Sequence, residues 1–244
     1  MPRLLSLETA TDRGAFALWS GDVSDFVVTT TLCHEFSCPS GQPHAETLLP
    51  AVREGLNTLG WTLDSLDAIV FDAGPGMFTG LRVSAALAQG LAVALDKPLI
   101  PVSSLEVLAE STHVSTGANT ILTLLDARMN QIYAAGWTKS ASGWQPLFDA
   151  CLVNPDALDQ LPSLPEPYSA AGTGIDEYTP VKAWLAEQGV TDAAVRYPSA
   201  ADLARLGAIR LVTGQTTDPA EAIPVYVRDR VALTTAERAA GESL

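Results

Sequence analysis

Residues 81–95, LRVSAALAQGLAVAL, have fewer ways to fold than any other part of this sequence. The apolar spacing is helical, and the strongly polar side chains are Arg82 and Gln89. A helix that is apolar nearly all round must be covered nearly all round. The run 66–71 (LDAIVF) and the glycine-rich stretch Asp72-Ala-Gly-Pro-Gly-Met-Phe-Thr-Gly80 come before it. Asp96-Lys97-Pro98 stops it, and the apolar run 99–102 follows. Short continuous apolar runs suit buried parallel strands. Strand, glycine-rich loop, helix and strand make a βαβ unit, so the sheet is at least partly parallel. Ala85, Ala86, Gly90 and Ala92 are small enough to admit a second helix at close range. One face of this helix meets the sheet. The other needs cover from a neighbouring helix or from another subunit, and the pattern alone leaves both open.

Upstream, strands are expected over 4–7, 15–19 and 25–32, in a strand–turn–strand opening. A helix over 44–59 carries Leu48, Leu49, Val52, Leu56 and Leu59 at helical spacing and is closed by Gly60. Downstream, the pattern predicts a helix over 104–111, strands over 120–125 and 131–137 around a turn at 126–130, and a loop-rich stretch over 155–167. A short strand over 168–174, helices over 176–188 and 199–213 and a last strand over 223–227 complete it. The halves echo each other without a visible sequence repeat. The expected organisation is a first lobe over 1–103 and a second over 104–227, whose last helix packs back on the first lobe, with a flexible tail over 228–244.

Charge narrows the function. Asp and Glu number 28 against 14 Lys and Arg, a net charge of −14. Nucleic-acid affinity comes largely from neutralising phosphates, so this chain is a poor solo RNA binder and any RNA contact would rely on another subunit. No run reaches a continuous membrane span, and the opening MPRLLSLETATDRG does not read as a signal peptide. Cys33, Cys38 and Cys151 have no framework spacing, as suits a reducing compartment. The expectation is a cytoplasmic protein without a membrane contact.

The chemistry-bearing groups are sparse. Gly74, Pro75, Gly76, Thr79 and Gly80 before a helix could cradle a phosphate, since glycines let backbone amides approach an anion at a helix N-terminus. The spacing matches neither a P-loop nor Gly-x-Gly-x-x-Gly, and spacing alone favours a tight strand-to-helix turn. Hydroxyls in the turn Glu8-Thr-Ala-Thr-Asp-Arg-Gly14 could donate to a phosphate, with an ordinary polar turn as the plainer reading. Cys33, His34, Cys38 and His44 match no metal-ligand spacing, so no metal is expected. Neither His-Glu-x-x-His nor Gly-x-Ser-x-Gly occurs, and no catalytic residue is assigned.

From Leu4 to Arg228 the chain resembles the bacterial tRNA threonylcarbamoyladenosine biosynthesis protein TsaB (YeaZ) family. The resemblance rests on LLSLETA, His44-Ala-Glu-Thr-Leu-Leu-Pro50, GPGMFTGLRVS over 74–84, Asp126-Ala-Arg128 with Tyr133, Gly172-Thr-Gly174 and Pro224-Val-Tyr-Val-Arg228. It implies an actin/Hsp70-like (ASKHA) α/β fold of two lobes, each with a mixed sheet flanked by helices. It also implies a non-catalytic subunit that pairs with a TsaD-like transferase and a TsaE-like ATPase in tRNA modification, and meets tRNA only through that complex. Pairing is expected through the first-lobe helices: His44, Leu48, Leu49, Val52, Leu56, Leu81, Arg82, Ala85, Ala86 and Gln89. Free subunits would self-pair by the same face. Glu8, Thr9, Gly74, Pro75, Gly76, Thr79, Gly80, Asp126 and Arg128 are the expected nucleotide or phosphate contacts. No intrinsic cofactor is expected, with ATP or ADP at the partner interface as the one place for a nucleotide. The chain departs from the family in having Glu8 for Asp, Met77 for Ser and Ser84 for Gly. A stand-alone peptidase or an actin-fold ATPase or sugar kinase is the competing class. A kinase would need a second glycine-rich phosphate turn, and Asp126-Ala-Arg128 lacks the glycine.

Overall fold

The computed structural model describes residues 1–38, 43–190 and 197–228. Two mixed sheets form the frame. The first has the order β3-β2-β1-β4-β5, from strands β1 (Arg3–Glu8), β2 (Ala15–Ser24), β3 (Val27–Ser37), β4 (Ala68–Gly74) and β5 (Leu99–Ser103). The second has the order β8-β7-β6-β9, from β6 (Thr120–Asp126), β7 (Ile132–Ser140), β8 (Gly143–Val153) and β9 (Ser169–Ala171). In each sheet the first strand pairs antiparallel with the second and parallel with the fourth. This repeated pattern is the duplicated ASKHA architecture, carried by topology where the sequence shows no repeat.

Alternation along the central strands sorts the core. Leu5, Leu7, Ile69 and Phe71 face helices α1 (His44–Leu59) and α2 (Phe78–Leu95). Leu4, Ala68 and Val70 face the other way, onto α6 (Ala200–Val212) and its Leu203, Ala204 and Ala208. A period of two sends neighbouring residues to opposite faces, so both faces of this sheet are covered. The last helix therefore packs on the first sheet. Its N-terminus is fixed there by Glu35 of β3, which accepts from Ala200 N at 2.6 Å, an anion at the positive end of the helix. Helix α3 (Ser104–Thr116) lies between the two sheets.

Several expected bounds shift. Helix α2 begins at Phe78, and α3 runs on to Gly117, whose left-handed φ of 76° ends it. The single helix expected over 176–188 is two, α4 (Gly174–Glu177) and α5 (Thr179–Glu187). Pro180 holds the start of α5, and Tyr178 between them is extended. Strand β8 was not anticipated. Pro146 and Asp149 interrupt its alternation, and it lies at a sheet edge where both are tolerated. The strand expected over 223–227 is an extended strap outside both sheets, tied by Val225 N to Ala73 O at 2.7 Å. The expected tail lies outside the described residues beyond Arg228.

Candidate functional site

The glycine-rich loop is shaped by its own chain. Met77 N donates to Ala10 O at 2.7 Å, and Thr9 Oγ1 donates to Gly80 O at 2.8 Å. A Cβ on Gly76 would stand 2.5 Å from Ala10 O, and one on Gly80 would stand 1.9 Å from Thr9 O. These two glycines are required because the β1–β2 turn lies against the loop, with no room for a side chain. Pro75 is buried behind them, and Thr79 is exposed.

Beneath this contact lie two carboxyls. Glu8, at the end of β1, and Asp72, near the end of β4, are both buried. Glu8 accepts from Ala10 N at 2.8 Å, while Asp72 Oδ1 accepts from Gly74 N at 2.8 Å and from the Ser104 hydroxyl. Asp72 Oδ2 has no amide or hydroxyl donor. Burial, then the Asp72 charge, pushes Glu8 well above the usual carboxylate range, and burial pushes Asp72 up to about 6. The two are a coupled buried pair, both raised. Neither is among the residues that line the cleft between the lobes.

That cleft, of about 340 Å³, is bordered by Ala10, Thr11, Asp12, Gly76, Met77 and Phe78 from the first lobe. Asp126, Ala127, Arg128, Tyr133, Thr173, Glu177 and Arg228 border it from the second. The β6–β7 turn on the far wall is self-contained. Asp126 accepts from Arg128 N and from the Tyr178 hydroxyl, each at 2.8 Å, and pairs with the Arg128 guanidinium at 3.0 Å. Arg128, Met129 and Asn130 all have left-handed φ, between 55° and 59°, which is strained for residues with a Cβ. Arg228 holds the turn by donating to Ala127 O at 3.0 Å and to Gln131 Oε1 at 2.8 Å. The sequence shows Arg228 at the end of the motif Pro224-Val-Tyr-Val-Arg228, and only the fold shows what it holds. The amides of Ala10, Met77, Ala127 and Arg128 are thus engaged within the chain.

On the opposite side of the lobes is a second cavity of about 760 Å³ with a polar wall. Its centre is Glu110 of α3, only 2% exposed. Glu110 accepts from Lys139 and from Trp144 Nε1 (2.8 Å) of the second sheet, and pairs with Arg205 of α6 at 3.5 Å. Among the described residues no cluster of His, Cys, Asp or Glu could hold a metal.

The helices expected to form an interface divide into two groups. Leu48, Val52, Leu56, Leu81 and Ala85 are core residues of the first lobe, at most 4% exposed. They are the inner stripe of α1 and α2 against the sheet, so the expectation that they touch a partner is corrected. Gln89 is also engaged within the chain, since its Nε2 donates to Pro219 O (2.9 Å) and Ala222 O (2.8 Å). His44 lies half-buried against Gly14, and Leu49 is half-buried. Arg82 and Ala86 are exposed, with Arg82 over the Phe78 ring at 4.0 Å and 3.2 Å from the Tyr226 hydroxyl. Together with Ala45, Phe78, Thr79, Val83 and Leu87 they line an apolar groove of about 560 Å³. Helix α2 is long and apolar enough to span a membrane on length and composition, but its inner face is spent on the first sheet.

Two comparisons decide the family. The family model for TsaD, tRNA N6-adenosine threonylcarbamoyltransferase, matches residues 39–235. The tRNA threonylcarbamoyladenosine biosynthesis protein TsaB of Escherichia coli is 30% identical over 94% of this chain and 96% of its own length. The chain belongs to the TsaB family. TsaB of Haemophilus influenzae is 29% identical over 93% of this chain and 94% of its own. The solved structure of YeaZ from Pseudomonas aeruginosa, 29% identical, superposes with a TM-score of 0.76 over 93% of this chain and all of that one. The TsaB family and the TsaD transferase thus share one ASKHA frame.

Proposed function

We propose that this chain is the non-catalytic subunit of a tRNA threonylcarbamoyladenosine-modifying complex, docking a TsaD-like transferase through the outward face of α2 and the start of α1. A TsaE-like ATPase is the third member, and tRNA is met only through the assembly. The observation that carries this reading is the uncovered face of α2: Ala86 and Gly90 are exposed, Val93 is 69% exposed, and Phe78 borders the groove. Exposed apolar surface of this kind marks an interaction site, and small residues admit a helix closely. The transferase family model spans both helices, so the transferase carries an equivalent pair and can meet this face about a pseudo-two-fold axis. Self-pairing by the same face is the free subunit's substitute.

The cleft supports the non-catalytic part. The Ala10, Met77, Ala127 and Arg128 amides on its rim are engaged, Glu8 and Asp72 are not among its lining residues, and Asp126 is paired with Arg128. Nucleotide binding by this subunit alone is therefore weak or nil, and any ATP or ADP belongs at the partner interface.

The test is to purify the chain with the transferase of its host and to assay tRNA modification with and without it. Ala86→Arg should leave the fold intact and abolish the complex, because an unpaired charge in an apolar interface costs several kcal/mol, roughly. Modification that proceeds equally well without this chain would overturn the proposal. Leu48→Arg, by contrast, should fail to fold.

A further inference from the structure

The C-terminal strap presents apolar side chains beside the groove. It leaves the first sheet at Thr217, whose N donates to Leu99 O at 2.9 Å, and passes along α2 under the Gln89 amide. Ala222 is buried in the first-lobe core, Val225 N is bonded to Ala73 O, and Arg228 is anchored on the cleft turn. Between these anchors the backbone is held and the side chains are left outside. Ile223 is 71% exposed, Val225 is 53% exposed, and Tyr226 packs its ring 5.5 Å from Phe78 at the groove margin.

We propose that the strap from Ile223 to Tyr226 is part of the surface that binds the transferase subunit, continuing the α2 groove. The proposal rests on the docking reading above. Ile223 and Val225 leave most of their apolar surface in solvent within the monomer, and the anchors on either side reduce the ordering cost of binding. The surface is joined to the groove through Tyr226, Phe78 and Arg82, so a partner seated on Ala86 lies against the strap as well. A protein partner fits better than an anionic lipid surface, because the chain carries a net charge of −14. The family model for the transferase covers the strap as well as both helices, which gives the partner an equivalent segment to set against it.

Ile223→Asp and Val225→Asp test this in the full chain, with Val114→Asp as a control at an exposed site on α3 (53%). Melting temperature is read alongside affinity for the purified transferase subunit. The expected result is unchanged melting and at least about tenfold weaker binding for both strap variants, with the control binding as wild type. Strap variants that bind as wild type while Ala86→Arg loses binding would overturn the strap proposal and leave the docking reading standing. Strap variants that weaken binding while Ala86→Arg does not would keep the strap and displace the groove. A wild-type chain that never binds the transferase would overturn both.

Discussion

Trp144 Nε1 lies 2.8 Å from Glu110 Oε2, joining the edge of the second sheet to a helix that lies between the lobes. The same carboxylate receives Lys139 from β7 and Arg205 from α6, the helix that covers the first sheet. One buried group therefore ties both lobes together behind the cleft. Burial pushes the Glu110 pKa up, but the Lys139 and Trp144 hydrogen bonds and the Lys139 and Arg205 charges outweigh it, and the net shift is downward.

Glu110→Ala should cost about 3 kcal/mol of stability, since it leaves Lys139 and Arg205 without their shared partner. Because the folded pKa is lowered, the Glu110 contribution is present above the ordinary carboxylate value and is lost as pH falls through the folded value. Urea unfolding of the wild type and the variant should converge toward acid pH. A constant gap from pH 7 to pH 3 would count against this role.

The Glu8–Asp72 pair should behave with the opposite sign. Both folded pKa values are raised, so the protonated pair is the stable one, and its contribution is lost as pH rises through about 6 for Asp72 and beyond for Glu8. Glu8→Gln removes one of the two buried charges. The variant should lose less stability than wild type as pH rises above about 6. Equal pH profiles for the two proteins would show that Glu8 is not coupled to Asp72.

Gly80→Ala should break the contact between the loop and the β1–β2 turn. A Cβ cannot occupy a point 1.9 Å from Thr9 O without moving backbone, and such overpacking costs about 1–3 kcal/mol or more. Gly90→Ala, at a glycine with open space around it, should be neutral or stabilising. Thermal melts of the pair separate a packing role from simple helix propensity.

Arg228→Ala should release the β6–β7 turn, whose three left-handed residues are held by donation to Ala127 O and Gln131 Oε1. Hydrogen exchange at residues 126–131 should speed up at least about tenfold, with the two sheets unchanged. Exchange at the wild-type rate would mean that the turn is stable without its clamp.

Much of the frame was legible because it is written in local periodicity. The bounds of α1 follow from its apolar stripe and from Gly60, and the βαβ unit from two apolar runs around a glycine-rich loop. What was not legible depends on contacts distant in sequence. The inner stripe of α2 looks the same whether sheet or partner covers it, so Leu81 and Ala85 read as interface until the sheet was in place. The role of Arg228 depends on a turn about 100 residues earlier, and no local pattern carries that. Strand β8 lacks alternation because edge strands are free of the burial that imposes it.

The filled glycine-rich loop has a pharmacological consequence. A nucleotide mimic gains much of its affinity from backbone amides around a phosphate. Here Ala10 N is already bonded to Glu8, Met77 N to Ala10 and Arg128 N to Asp126. A compound that used these amides would have to break those bonds first. A compound aimed at the α2 groove would meet apolar side chains and no such bonds to break.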